Sequence, residues 1–238
     1  MYTDIHSHIL PGVDDGAQNL EEALSLISSA YKHGTQQFVA TPHFYASYHS
    51  LGEQLSLAKE RLGLLCQEII KKQIPVKIIL GFEVRFFHGI SSCEELNHLT
   101  INGSKTLLLE LGPQPITDSI IEELVELYYQ GYDVILAHIE RYSKISGFSK
   151  LKPLIKNRVV KCQVNAASFV EGPFVKLSYK LVKKGWCDYI AGDMHSVLHR
   201  PSKLKAAMLL IEEKIGKATA NKLIKNSNKL FESVLETT

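Results

Sequence analysis

The 238-residue sequence predicts an α/β fold in which parallel strands close into a TIM-like barrel. Three observations lead there. Short apolar β-type runs alternate with helical stripes along the chain, the pattern of repeated βα units and a parallel sheet. Seven such runs occur, and each is followed at or just past its C-terminal end by a polar or metal-binding residue. No Gly/Ser/Pro-rich linker divides the chain, so residues 1–238 are expected to form one domain, a length that single barrels routinely occupy.

The runs are Tyr2 to Ile5, Gln37 to Thr41, Val76 to Phe82, Leu107 to Leu109, Val134 to Ala137, Val159 to Val164 and Tyr189 to Gly192. Their ends carry His6 and His8, then His43, Glu83, Glu110, His138 and Asn165, and finally Asp193 with His195. Helices fill the intervals. Asn19 and Glu22 form a capping box ahead of the stripe Leu20, Ala23, Leu24 and Ile27, which Gly34 closes. Ser50 and Glu53 form a second box ahead of Leu55, Ala58, Leu62, Leu65 and Ile69, ending before Pro75. Ser119 with Glu122 opens a third helix carrying Ile120, Leu124 and Tyr128, with Gly131 at its end. Phe174 to Lys184 stops at Gly185, and Ser202 to Leu235 reads as helical.

Strand-end donors favour a closed barrel over an open, doubly wound sheet. Closure brings all C-terminal ends to one face, whereas an open sheet binds chiefly at its switch point. No G-x-G-x-x-G follows the first run and no G-x-x-x-x-G-K-[ST] occurs, so dinucleotide and P-loop readings lack their residues. His6 and His8, two apart on an extended segment, point to the same side and can grip one ion. One such pair is weak evidence; joined to five further strand-end donors it outlines a catalytic metal centre.

Charge is nearly balanced at +2, with 27 basic and 25 acidic residues, which points to neither nucleic acid nor an acidic membrane surface. The N-terminus shows no charged leader and no apolar stretch fit for a signal or membrane span, so a cytoplasmic protein without membrane insertion is expected. Cys66, Cys93, Cys162 and Cys187 are widely spaced without a C-x-x-C pair and read as buried thiols. None has Arg six residues later, which excludes a cysteine-based phosphatase. His33, His49, His88, His98 and His199 fall outside the strand-end pattern. Tyr48, Phe86 and Phe87 can flank an aromatic substrate or pack; Tyr128 and Tyr129 read as helix packing, and the lysine runs as solvated faces.

The opening Asp4-Ile5-His6-Ser7-His8-Ile9-Leu10-Pro11-Gly12-Val13-Asp14-Asp15-Gly16 resembles the first motif of the PHP (polymerase and histidinol phosphatase) superfamily. More narrowly, the chain resembles bacterial metal-dependent tyrosine phosphatases of capsule and exopolysaccharide loci, the CpsB/CapC type. Ala40-Thr41-Pro42-His43, Gly81-Phe82-Glu83, Leu109-Glu110, Ala137-His138-Ile139-Glu140-Arg141-Tyr142 and Ala191-Gly192-Asp193-Met194-His195 match that family in order, and the likeness covers nearly the whole chain.

That resemblance implies a distorted (β/α)7 barrel of the PHP fold holding two or three divalent ions, manganese first, with iron or zinc also suited to the donors. It implies His6, His8, Glu83 and Asp193 around one ion, and Glu83, Glu110 and His138 around a second, with Glu83 bridging. His43, His195 and either Asp14 or Asp15, with Asp15 favoured, would hold a third. Catalytic roles would fall to Arg141, Arg200, Asp193 and His195, the two arginines gripping phosphate oxygens. The implied reaction is hydrolysis of phosphotyrosine on a protein tail, that of a tyrosine kinase governing polysaccharide export. A small-ester hydrolase such as histidinol phosphatase, and a degenerate PHP barrel that only binds, are the alternatives.

Overall fold

The computed structural model describes residues 1–236; Thr237 and Thr238, within the expected domain, lie outside the described residues. Its strands are β1 (Tyr2–Ser7), β2 (Thr35–Ala40), β3 (His43–Phe44), β4 (Lys77–Leu80), β5 (Glu83–Arg85), β6 (Thr106–Glu110), β7 (Asp133–Leu136), β8 (Lys161–Asn165) and β9 (Tyr189–Ala191). Every pairing among them is parallel, in the orders β1-β2-β4 and β3-β5-β6-β7-β8-β9.

Seven expected strands appear as nine segments because two are interrupted. Pro42, which has no N–H to give to a ladder, separates β2 from β3, and Gly81-Phe82 separates β4 from β5. Hydrogen bonds carry the sheet across both breaks: the Gly81 N–H donates to the Ala40 carbonyl at 2.8 Å, and the Glu83 N–H to the Pro42 carbonyl at 3.1 Å. His43 and Glu83 therefore begin strands instead of following them. The curled sheet returns to its first strand just beyond β9, where Ser7 bridges Met194. There the Asp193 N–H donates to the His6 carbonyl at 2.9 Å and the His8 N–H to the Met194 carbonyl at 3.0 Å.

Strand alternation sorts the buried side chains into two sets. Phe38, Leu107, Leu109, Val134, Leu136, Cys162, Val164 and Ile190 face the surrounding helices. Ile5, Val39, Ile79, Leu108, Ile135, Ala137, Tyr189 and Ala191 form a separate interior cluster, joined by Leu230, Phe231 and Val234 of α8 (Lys217–Glu236). The C-terminal helix thus plugs the end of the barrel opposite the strand C-termini, where Asn226 Nδ2 donates to the carbonyl of Asp188, one residue before β9, at 2.9 Å.

The other helices are α1 (Leu20–Lys32), α2 (Leu51–Lys71), α3 (Asp118–Tyr129), α4 (Phe148–Lys156), α5 (Ala167–Val170), α6 (Val175–Lys183) and α7 (Leu204–Lys214). Asn19 and Ser50 cap α1 and α2 as expected, accepting from the N–H groups of Glu22 and Glu53. The third helix starts earlier than Ser119: Thr117 is its cap and accepts from the Ile120 N–H. Helix α4 escaped the sequence reading because it holds Pro153 and begins at a left-handed Gly147 without a side-chain cap. Tyr128 and Tyr129 are exposed and do not serve as packing residues. Cys162 and Cys187 are buried thiols, but Cys66 and Cys93 are only half-buried. Among the described residues, no helix is long and apolar enough to cross a membrane.

Phe231 is fully buried in the interior cluster. Phe231→Ala should therefore cost roughly 3–5 kcal/mol of stability, read by chemical denaturation. A loss of only a few tenths would show that α8 is not part of the core.

Candidate metal centre

Strand geometry alone would put Ile5 and His6 on opposite faces of β1. The β1–β2 register shifts between Asp4 and Ser7, and both residues turn inward: Ile5 joins the apolar interior while His6 joins the polar cluster above it. His6 Nε2 and His8 Nε2 lie 3.2 Å apart, so the H-x-H pair converges as its spacing predicts. Asp4, fully buried, ties this strand to the β9 end by accepting from the Gly192 N–H at 2.8 Å. A Cβ at Gly192 would collide with that carboxylate.

Glu83 occupies the centre. Its Oε2 is 3.1 Å from His6 Nε2, 3.3 Å from His8 Nε2 and 3.1 Å from His43 Nδ1, and its Oε1 is 2.7 Å from His138 Nε2. Glu110, the last residue of β6, brings Oε1 to 3.7 Å from His138 Nε2. Asp193 places Oδ1 3.6 Å from each of His6 Nε2, His8 Nε2 and His195 Nδ1. His138 and Asp193 both adopt left-handed backbone, at φ +35° and +49°, which costs a non-glycine residue about 1–3 kcal/mol. Both sit at strand ends, where that turn aims the side chain back into the cluster.

Asp14 and Asp15 part company. Asp14, with only 6% of its side chain exposed, accepts from His8 Nδ1 at 2.6 Å, from the His43 N–H at 3.0 Å and from the Gly16 N–H at 2.9 Å. Asp15, with 66% of its side chain exposed, puts Oδ1 3.3 Å from His195 Nε2 and 3.5 Å from His43 Nε2. The loop is pinned at Gly16, where a Cβ would strike the His8 carbonyl oxygen.

On the solvent side, Arg141 Nη2 and Arg200 Nη2 each lie 2.7 Å from Asp193 Oδ2. Both guanidiniums are about two-fifths exposed. Arg200 arrives through a folded-back loop in which Ser196 Oγ accepts from the His199 and Arg200 N–H groups. A groove of about 640 Å³, lined partly by Asp15, His195 and Arg200, opens beside them.

Two residues of the site were missed from the sequence. Arg85 Nη2 pairs with Glu110 Oε2 at 2.8 Å and its guanidinium lies 5.5 Å from the Tyr45 ring centre. Gln163 bonds His6 and His138 from β8. The polar Gln163-x-Asn165 pair inside an apolar strand was the available signal for it; Arg85, two residues after Glu83, offered only strand spacing. Of the residues set aside, His199 lines the groove and Tyr48 and His49 line a smaller cavity with Asp15 and His43. Phe86 is buried, as a packing residue would be.

The donors fit divalent cations. His6 Nδ1 and His8 Nδ1 are engaged by Gln163 and Asp14, which leaves two Nε2 atoms facing each other at a separation only a shared positive charge can stabilise. Three donor groups have all their ligand atoms within 4.8 Å of one another: His8, Asp15, His43 and His195; His6, His8 and Asp193; and His43, Glu83 and Glu110. Electrostatics agree. Burial opposes charge on His8, yet Asp14 and Glu83 push its pKa up to about 10. Burial also works against an ionised Glu83, but the imidazoles led by His6 and His138 hold it well below the usual carboxylate range. A site that keeps Glu83 ionised and draws a proton to His8 can exchange that proton for a metal, while burial lowers the pKa of His43 and His195 and leaves them as neutral imidazole donors.

The chain resembles known proteins over nearly its whole length. The chain is 28% identical over 240 residues to the tyrosine-protein phosphatase CpsB of Streptococcus agalactiae serotype III (strain NEM316), covering 97% of this chain and 98% of that one. It is 32% identical over 210 residues to CapC of Staphylococcus aureus, covering 85% of this chain and 80% of that one. Its fold superposes with a TM-score of 0.84 on a crystal structure from work on YwqE of Bacillus subtilis and CpsB of Streptococcus pneumoniae, described as metal-dependent tyrosine phosphatases. That match has 23% identity and covers 97% of this chain and 94% of the other. Residues 2–232 match the family described as capsular polysaccharide synthesis, CpsB/CapC, and the chain belongs to that family.

Proposed function

We propose that this protein hydrolyses phosphotyrosine on a protein tail, that of a tyrosine kinase controlling capsular or exopolysaccharide synthesis, using two or three divalent ions. One observation carries the reading. Two half-exposed guanidiniums converge on a single Asp193 oxygen at the mouth of a buried imidazole and carboxylate cluster. This is an anion-binding entrance over a cation-binding floor. The names of the curated relatives supply the substrate class. Substrate on a kinase tail implies a cytoplasmic enzyme, working where ATP is available.

The ligand sets follow the resemblance: His6, His8, Glu83 and Asp193; Glu83, Glu110 and His138; and His43, His195 and Asp15. Asp14 is better suited to hold His8, because its carboxylate is already committed to three donors. Manganese is the first choice, with iron and zinc compatible with the same oxygen and imidazole donors. Bound divalent ions would supply a water ionisable near neutrality and offset the phosphoryl charge.

The protein's own groups bind and orient the ester. Four ligand carboxylates carry about −4, so two ions leave the shell near neutral and three leave it near +2. A third ion held by His43, His195 and Asp15 would therefore strengthen capture of a phosphate dianion, and Arg141 and Arg200 add planar, two-pronged donors. Buried walls at His6, His8 and Glu83 exclude bulk water and strengthen each of these interactions. Outside, the open groove with exposed Leu198 in its wall, and the smaller cavity where exposed Tyr48 stands with Asp15 and His43, suit an extended peptide better than a small enclosed ester. A binding-only barrel would have no reason to retain the complete donor set.

Chelation should abolish activity and manganese should restore it best, with metal analysis finding two or three ions per chain; full activity with less than one ion would refute the proposal. Glu83→Gln should remove more metal than His43→Ala, because a carboxylate shared by two sites serves both.

Arg141→Ala should keep its ions yet lose roughly 10²-fold in turnover, the scale of one transition-state donor. Loss of metal in that variant would assign Arg141 to structure.

Phosphotyrosine reaches the cluster on a longer side chain than phosphoserine, which would have to drag backbone polar groups inward at about a few kcal/mol each. Values of kcat/KM should therefore rank phosphotyrosine peptides above phosphoserine peptides, with little dependence on flanking sequence. Histidinol phosphate as the best substrate by tenfold would overturn the tyrosine assignment and leave the metal chemistry standing.

A further inference from the structure

Strand β8 contributes none of the expected ligands, yet Gln163 is fully buried and Asn165 nearly so beside the cluster. The backbone decides which way the Gln163 amide faces. The His138 N–H can only donate, and it meets Gln163 Oε1 at 2.8 Å. That atom is therefore an acceptor, and His6 Nδ1, 3.3 Å from it, must carry a hydrogen to bond it. In a neutral His6 ring the lone pair then lies on Nε2, the nitrogen facing Glu83, His8 and Asp193.

The other end of the amide continues the chain. Gln163 Nε2 donates to Asn165 Oδ1 at 2.8 Å, which orients Asn165 so that its Nδ2 donates to Asp193 Oδ2 at 2.5 Å. Arg141 and Arg200 crowd the same oxygen. Oδ1 is left facing the imidazoles of His6, His8 and His195.

We infer that Gln163 and Asn165 are positioning residues: a one-way chain of hydrogen bonds, from the His138 amide through both side chains to Asp193, presents the bare Nε2 of His6 and the bare Oδ1 of Asp193 to one ion. The inference rests on the metal reading above. It gives β8 a task that its lack of ligands conceals, and it couples residues of β1, β8 and the ends of β7 and β9. Side chains behind metal ligands fix the tautomer and direction of the atoms in front of them.

Two variants separate the halves of the chain. Gln163→Met keeps the volume but removes acceptor and donor together; Asn165→Leu removes only the arm to Asp193. Manganese affinity is measured by calorimetry on metal-stripped protein. The His6 tautomer is read from long-range proton–nitrogen spectra of the same stripped protein, at a pH where the ring is neutral. Wild type should show hydrogen on Nδ1. Gln163→Met should lose that preference and bind manganese about 10–100-fold more weakly, while Asn165→Leu should weaken binding with the His6 tautomer unchanged. Hydrogen on Nε2 in the wild type would overturn the inference without recourse to either variant, and so would wild-type affinity in both. Wild-type protein that takes up no divalent ion would instead strike at the metal reading itself.

Discussion

A buried anion at Glu83 is the constraint around which the strand ends are arranged. Only 1% of it is exposed, and taking a lone carboxylate out of water costs several kcal/mol even after relaxation. Four imidazoles within 3.3 Å of its oxygens answer that cost. They come from β1 and the residue just past it, from the head of β3 and from just past β7, so satisfying one carboxylate draws on strands spread around the curled sheet. The break at Gly81-Phe82 places Glu83 at the head of β5, and the break at Pro42 places His43 beside it in register.

The two ends of the barrel divide the work. The interior cluster and α8 close one end with apolar packing. The other end holds left-handed backbone at His138 and Asp193, converging like charges and arginines drawn to one oxygen. Such strain persists only where its surroundings over-determine it. The sealed end and the helix-facing core provide that support.

The fold was legible in the sequence because periodicity and strand-end donors report the same architecture independently. His6, His8, His43, Glu83, Glu110, His138, Asp193 and His195 were each visible as a donor beside an apolar run, and the structure brings them together. The choice between Asp14 and Asp15 was not legible: both are carboxylates in one turn, and only the fold reveals that Asp14 is spent on His8 and backbone N–H groups. Arg85 and Gln163 were hidden for another reason. Their importance lies in which residues they touch across the sheet, and no spacing along one strand encodes that. Pro153 hid α4, since proline within a stripe normally argues against a helix.

The barrel seam has a consequence for how the protein is made. Its first and last strands are joined by the bond from the Asp193 N–H to the His6 carbonyl, and both residues also belong to the same donor group. Nearly the whole chain must leave the ribosome before those two partners can meet. Any ion held by that group would thus be captured late in biosynthesis, since a nascent chain stalled short of Asp193 lacks one of its donors. Once seated, an ion would fasten the seam from within, making the joining of the first strand to the last a step of folding that responds to the supply of metal.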